Sequence, residues 1–138
     1  KLQHLHMFSS FLPHDVLEQA EASTQRWADG KELGVWDGVP YTVKDNMMAL
    51  PHKLCHGGHP NNCIDSYRDD VLVAKFKTQG AILLGITTMA EGGVTPMGYN
   101  LWFDGPFNPY NTDYYPGGSS SGSGVSVATG LVPVSIGV

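Results

Sequence analysis

Basic residues are scarce. Eight Lys and Arg stand scattered against thirteen Asp and Glu, which gives a net charge of -5 and an isoelectric point near 5.5. Nucleic acids and anionic membranes are held by clustered Lys and Arg, so no nucleic-acid partner is expected. The sequence also lacks an apolar run of membrane-spanning length and a charged-then-apolar leader, so no membrane span is expected and the cytoplasm is the compartment only by default. Cysteine is nearly absent: Cys55 and Cys63 are the whole supply. Two cysteines in a chain of 138 residues are not a disulfide framework, and reduced thiols are the expectation. They do lie in a stretch with His52, His56 and His59 that could by count offer nitrogen and sulfur to zinc. The spacing gives neither paired C-x-x-C units nor H-x-x-x-H on a helix, and Gly57, Gly58 and Pro60 make the stretch a loop. No metal and no cofactor are expected.

What is present in excess is glycine and serine, packed into Gly117-Gly118-Ser119-Ser120-Ser121-Gly122-Ser123-Gly124 and followed by an apolar segment from Val125. A run this rich in small residues is not core; its glycines allow close backbone approach or backbone angles closed to other residues. The run lacks the lysine of G-x-x-x-x-G-K-[ST] and the spacing of G-x-G-x-x-G, which weakens a nucleotide reading. Serines on a tight glycine turn can serve acyl transfer if a base comes from elsewhere in the chain. Two other readings stand beside that one: a flexible linker, which sits badly with the helix and strand that follow at once, and an anion nest in a non-catalytic binding module.

Around this loop the periodicities sketch an α/β domain. Val16, Leu17, Ala20, Ser23, Thr24 and Trp27 recur at helical spacing from about Asp15 to Ala28, with Gly30 just beyond. Val39, Tyr41 and Val43 alternate as a strand ending at Lys44. Asp69 and Asp70 stand where they would cap a second helix running to about Gln79, and Ala81-Ile82-Leu83-Leu84 reads as a strand buried on both faces. Helix then strand, twice over, predicts a layered domain with at least partly parallel pairing. From Thr87 to Pro116 the chain is irregular but rich in aromatics, which fits a substrate entrance better than disorder. On position alone Lys44 is a solvated charge at a strand end.

Three ordered motifs add a resemblance. Pro116-Gly117-Gly118-Ser119-Ser120-Ser121-Gly122-Ser123, with Asn108-Pro109-Tyr110 before it and Val127-Ala128-Thr129-Gly130-Leu131-Val132-Pro133 after it, resembles the central motif of the amidase signature family. Gly38-Val39-Pro40-Tyr41-Thr42-Val43-Lys44-Asp45-Asn46 resembles that family's lysine motif, and the segment from Gly80 to Glu91 its middle one. The resemblance implies a layered α/β/α fold with a mixed sheet, of which residues 1–138 form the N-terminal part of a single amidase domain. It implies a Ser-Ser-Lys triad acting on small linear amides. Lys44 would be the buried base and Ser119 the relay serine, 75 positions later. The Gly118–Ser119 peptide would be cis, with Gly117, Gly118 and Ser120 supporting the loop and Glu91, Gly92 and Gly93 helping to hold substrate. The nucleophilic serine of the family belongs in a glycine-rich segment after the strand Val132 to Ile136, and neither Ser121 nor Ser123 matches that place. Activity is therefore not expected of residues 1–138 by themselves, and an incomplete sheet makes self-association, such as a homodimer, an expectation. The triple serine and Ala81-Ile82-Leu83-Leu84-Gly85 look most like the fatty acid amide hydrolase-like branch; the amidase component of a glutamyl-tRNA amidotransferase is the alternative within the family.

Overall fold

The computed structural model describes residues 2–138, and Lys1 lies outside them. In chain order the elements are β1 (Phe8–Ser10), α1 (Pro13–Ala28), β2 (Pro40–Lys44), β3 (Lys53–Leu54), β4 (Ile64–Asp65), α2 (Val71–Thr78), β5 (Ile82–Thr87), α3 (Ser121–Ala128) and β6 (Val134–Ile136). Four strands form one sheet in the order β1-β5-β2-β6. β2 runs parallel to both β5 and β6, whereas β1 is antiparallel to β5, so the sheet is mixed.

β2 lies inside this sheet, and its side chains alternate between two covering layers. Tyr41 and Val43 join Ala49, Val73, Ala81, Leu83, Ile86 and Ile136 in the main core, where the Tyr41 ring stacks on Phe76 of α2 at 4.9 Å. Thr42 turns to the other face and meets Ser126 of α3 at 3.0 Å. A strand covered on both faces needs no polar side, and Tyr41 to Lys44 are all buried. The next residue on the Thr42 face is Lys44. That placement carries its ammonium stem out of water.

Three expectations change. α1 begins at Pro13, and its packed face holds the buried Ser23 and the half-buried Val16, Gln19, Ala20 and Arg26, while Leu17, Thr24 and Trp27 are exposed. The reason is that the helix docks by hydrogen bonds. The Gln19 side chain accepts from the Leu83 N–H at 2.9 Å, and Ser23 and Arg26 donate to the Asp37 carboxylate at 2.7 Å, so polar anchors rather than apolar spacing set its rotation. Asp70 occupies the N-cap of α2, yet neither aspartate caps it through its side chain. Asp70 accepts instead from the Met48 N–H at 2.9 Å, and Asp69 from the Leu50 N–H and from Lys77 Nζ, fastening the connection after β2.

The third change is at the cysteines. Residues 53–65 form a small antiparallel hairpin rather than an open loop, and Cys55 and Cys63 are joined by a disulfide with their Cα atoms 4.2 Å apart. A count of two cysteines carries no geometry. The hairpin register supplies it.

Candidate active site

The candidate site is built where β2 ends against the start of α3. Lys44, 2% exposed, pairs in register with Thr87 of β5 and sends Nζ to Ser119 Oγ, 2.8 Å away, and to the Val138 carbonyl. Ser120 Oγ donates to the same carbonyl at 3.0 Å. Among the described residues no carboxylate forms an ion pair with Lys44. Burial pushes the Lys44 pKa down, toward the neutral amine. A neutral Nζ can accept the Ser119 hydroxyl proton across the same 2.8 Å contact. Lys44 and Ser119 within hydrogen-bond reach also favour acyl-transfer chemistry over an anion nest.

Backbone contacts fix the serine loop from behind. The Gly118 N–H donates to the Pro96 carbonyl at 2.8 Å and Ser121 Oγ to the Gly98 carbonyl at 2.6 Å. In the first turn of α3, the Gly122 N–H donates to the Thr88 carbonyl, and a Cβ on Gly122 would stand 2.6 Å from both that oxygen and the Met7 carbonyl. Only glycine fits so close to two backbone oxygens. Ser123 Oγ is bonded to Thr87 Oγ1 at 2.8 Å, and both Ser121 and Ser123 are buried in α3.

The expected cis bond is not found. Among the described residues the cis peptides are Leu50–Pro51 and Gly105–Pro106, so Gly118–Ser119 is trans. A non-proline cis bond costs about 2.5–4 kcal/mol and needs a surrounding that enforces it. Here a Cβ on Gly117 would meet nothing within 4 Å, and one on Gly118 only the Ser120 nitrogen at 3.9 Å.

The structure thus brings Lys44, Ser119 and Ser120 together, with Gly117 and Gly118 at the open side of the loop. Glu91, Gly92 and Gly93 form an exposed 3-10 turn after Ala90, tied through the Gly92 N–H to the His56 carbonyl at 2.9 Å rather than to Lys44 or Ser119. Asp45 stood in sequence only as a structural hydrogen-bond partner of unplaced carboxylate, and Asn100 went unread. The Asp45 carboxylate is fully buried and accepts from the Cys55 and Gly57 N–H groups at 2.9 and 3.0 Å; burial pushes its pKa up, and these bonds oppose that shift. Asn100, 1% exposed, donates to the Gly57 and Met89 carbonyls at 2.6 and 2.7 Å and accepts from Trp102 and Phe103 N–H groups. An Asn next to turn residues in an irregular stretch was the available signal for the latter.

Known proteins place these features in a family. Residues 2–138 match the family model described as Amidase. The chain is 39% identical over 131 residues to a fatty acid amide hydrolase of Arabidopsis thaliana, covering 92% of this chain and 21% of that protein. It is 37% identical over 122 residues to a glutamyl-tRNA(Gln) amidotransferase subunit of Endomicrobium trichonymphae, covering 88% of this chain and 25% of that one. The native peptide amidase of Stenotrophomonas maltophilia superposes with a TM-score of 0.84 at 30% identity, over 95% of this chain and 28% of the peptide amidase. The chain spans about a fifth to a quarter of the length of these curated relatives. A family match from residue 2 to residue 138, on a mixed sheet that ends one central strand at a buried lysine facing a serine, means that this chain belongs to the amidase family.

Proposed function

We propose that the chain supplies the base and the relay serine of an amide hydrolase whose nucleophile lies outside residues 1–138. The observation that carries the reading is the 2.8 Å contact between Ser119 Oγ and the buried Lys44 Nζ, an amine with a lowered pKa and, among the described residues, no side-chain carboxylate paired with it. Ser121 and Ser123 are poor nucleophiles, because their hydroxyls are buried and engaged with the Gly98 carbonyl and Thr87. The nucleophilic serine attacks the amide carbonyl while its proton passes through Ser119 Oγ to Lys44 Nζ. Lys44 returns that proton by the same route to the leaving amine as the C–N bond breaks, and water then releases the acyl group. Glu91, Gly92 and Gly93 are the shelf on which substrate is held.

The substrate class is a small linear amide, a reading supported by relatives that are named as fatty acid amide and peptide amidases. The relative named as an amidotransferase component favours a second reading, in which the amide is glutamine and partner proteins take the ammonia. Amine or ammonia release from a fatty primary amide and from glutamine, measured in the whole protein that carries this chain, separates the two. Lys44→Ala is expected to lower turnover about 10²–10⁴-fold, as loss of a general base does, and residues 1–138 alone are expected to turn over neither amide. Full activity of Lys44→Ala would overturn the base assignment. Turnover by residues 1–138 that vanishes with Lys44→Ala would overturn the external nucleophile.

A further inference from the structure

The hairpin 53–65 has no part in that chemistry. Its ladder pairs Lys53 with Asp65 and Leu54 with Ile64; one step further along the same register Cys55 stands opposite Cys63, and there the disulfide closes the hairpin. Between its two strands, little else holds it shut. A two-pair ladder is marginal by itself, and the Lys53–Asp65 ion pair, with side chains 61% and 85% exposed, adds almost nothing.

The backbone just past the disulfide does three separate jobs. The Cys55 and Gly57 N–H groups hold the buried Asp45 carboxylate, immediately after Lys44. The His56 carbonyl takes the Gly92 N–H of the Glu91–Gly93 turn, and the Gly57 carbonyl takes Asn100 Nδ2. Gly57, with φ of 68°, is pressed so close that a Cβ there would lie 2.8 Å from the Met89 and Ala90 carbonyls. All three contacts fall within two residues of Cys55. Both cysteines are half-buried, so a small dithiol can reach them.

We propose that the Cys55–Cys63 disulfide is a redox-operated clasp: formed, it holds backbone 55–57 on Asp45 and on the Glu91–Gly93 turn, and reduced, it releases both. The link to catalysis rests on the amide-hydrolase reading of Lys44 and the 91–93 shelf; the clasp itself does not. A dithiol reductant supplies two electrons and two protons, the S–S bond breaks to two S–H groups, and the reductant's own thiols become its disulfide.

The test is amide hydrogen exchange in the whole protein with and without dithiothreitol, with thiols counted in parallel and Cys63→Ser as a permanently open form. Exchange in segments 53–58 and 90–94 is expected to rise about tenfold or more on reduction and in Cys63→Ser, with α1 and β5 unchanged. Unchanged exchange in 53–58 and 90–94 once two thiols have appeared, or two free thiols in the air-oxidised protein, overturns the clasp. In the hydrolysis assay, activity that falls on reduction and in Cys63→Ser alike supports coupling to the shelf. Activity that stays constant while exchange rises overturns the coupling, and a protein inactive in both redox states counts against the hydrolase reading while the exchange result still decides the clasp.

Discussion

Asp37 and Lys44 are both buried charges, one at the root of α1 and the other at the end of β2, and they are handled in opposite ways. The Asp37 side chain, 0% exposed, receives Arg26 through Nε and Nη2 at 2.7 Å each, Ser23 Oγ at 2.7 Å and the Leu33 N–H at 2.9 Å. The Arg26 bonds hold its carboxyl far below the usual carboxylate range despite burial. Lys44 meets the Ser119 hydroxyl and the Val138 backbone oxygen and, among the described residues, no side-chain carboxylate, and burial moves its pKa toward the uncharged form. A buried charge with a counterion is fixed in one protonation state and acts as a brace; one without is left with a proton that it can lose and regain.

The largest effect that sharpens this contrast is expected at the brace. Asp37→Ala strands Arg26 and empties the space against which Gly80 is packed, where a Cβ would lie 2.4 Å from Asp37 Cγ. Loss of about 3–5 kcal/mol in urea-induced unfolding is expected. Because the folded pKa of Asp37 is depressed, its contribution is present above the ordinary carboxylate value of 3.8 and fades as pH falls below it. The variant should therefore lose the part of the acid destabilisation that the parent shows in that window. A variant as stable as the parent would remove Asp37 from the comparison.

A second change moves Lys44 into the class of Asp37. Ser119→Asp places a carboxylate within reach of Nζ, and the pKa of Lys44 is expected to rise. The readout is the pH midpoint of Lys44 acylation, followed by peptide mass spectrometry. A midpoint that stays or falls would show that the absence of a counterion is not what separates Lys44 from Asp37.

How far these two corners could be read in advance differs for physical reasons. That Lys44 and Ser119 lie in contact was implied by the motif resemblance alone, because the strand pattern by itself left Lys44 a solvated charge at a strand end. Of the continuous apolar run Ala81 to Leu84, Ile82 to Leu84 open β5, with Ile82 and Leu83 buried and Leu84 half-buried. Asp37 gave no signal, since its side-chain partners Ser23 and Arg26 touch it only after α1 has docked. The same docking hid the face of α1: apolar spacing selected Leu17 and Trp27, while the sheet is reached through Gln19. Two-residue strands fall below any periodicity, which concealed the hairpin and with it the pairing of Cys55 with Cys63. The trans Gly118–Ser119 bond went unread because a motif carries residue types and not the pressure that bends a backbone.

The smallest effect is the most discriminating. Lys44→Met keeps the length of the stem and removes the charge, so its stability at neutral pH is expected to lie within about 1 kcal/mol of the parent, on either side. The pH dependence carries the sign. The unfolded chain holds the Lys44 proton up to the ordinary lysine value of 10.5, whereas the folded chain loses it at a lower pH. Between those two points the unfolded state binds more protons, so parent stability rises with pH and then levels off, while the Met variant has no such term. Asp45 works in the opposite direction on the acid side, because its folded pKa is raised and its contribution fades as pH climbs through that interval. Since Asp45 is present in both proteins, subtracting the two curves removes it and leaves Lys44 alone. A difference curve that climbs toward alkaline pH identifies a lysine poised to give up its proton. A flat curve with a loss of several kcal/mol would instead make Lys44 a second brace, and the distinction from Asp37 would collapse.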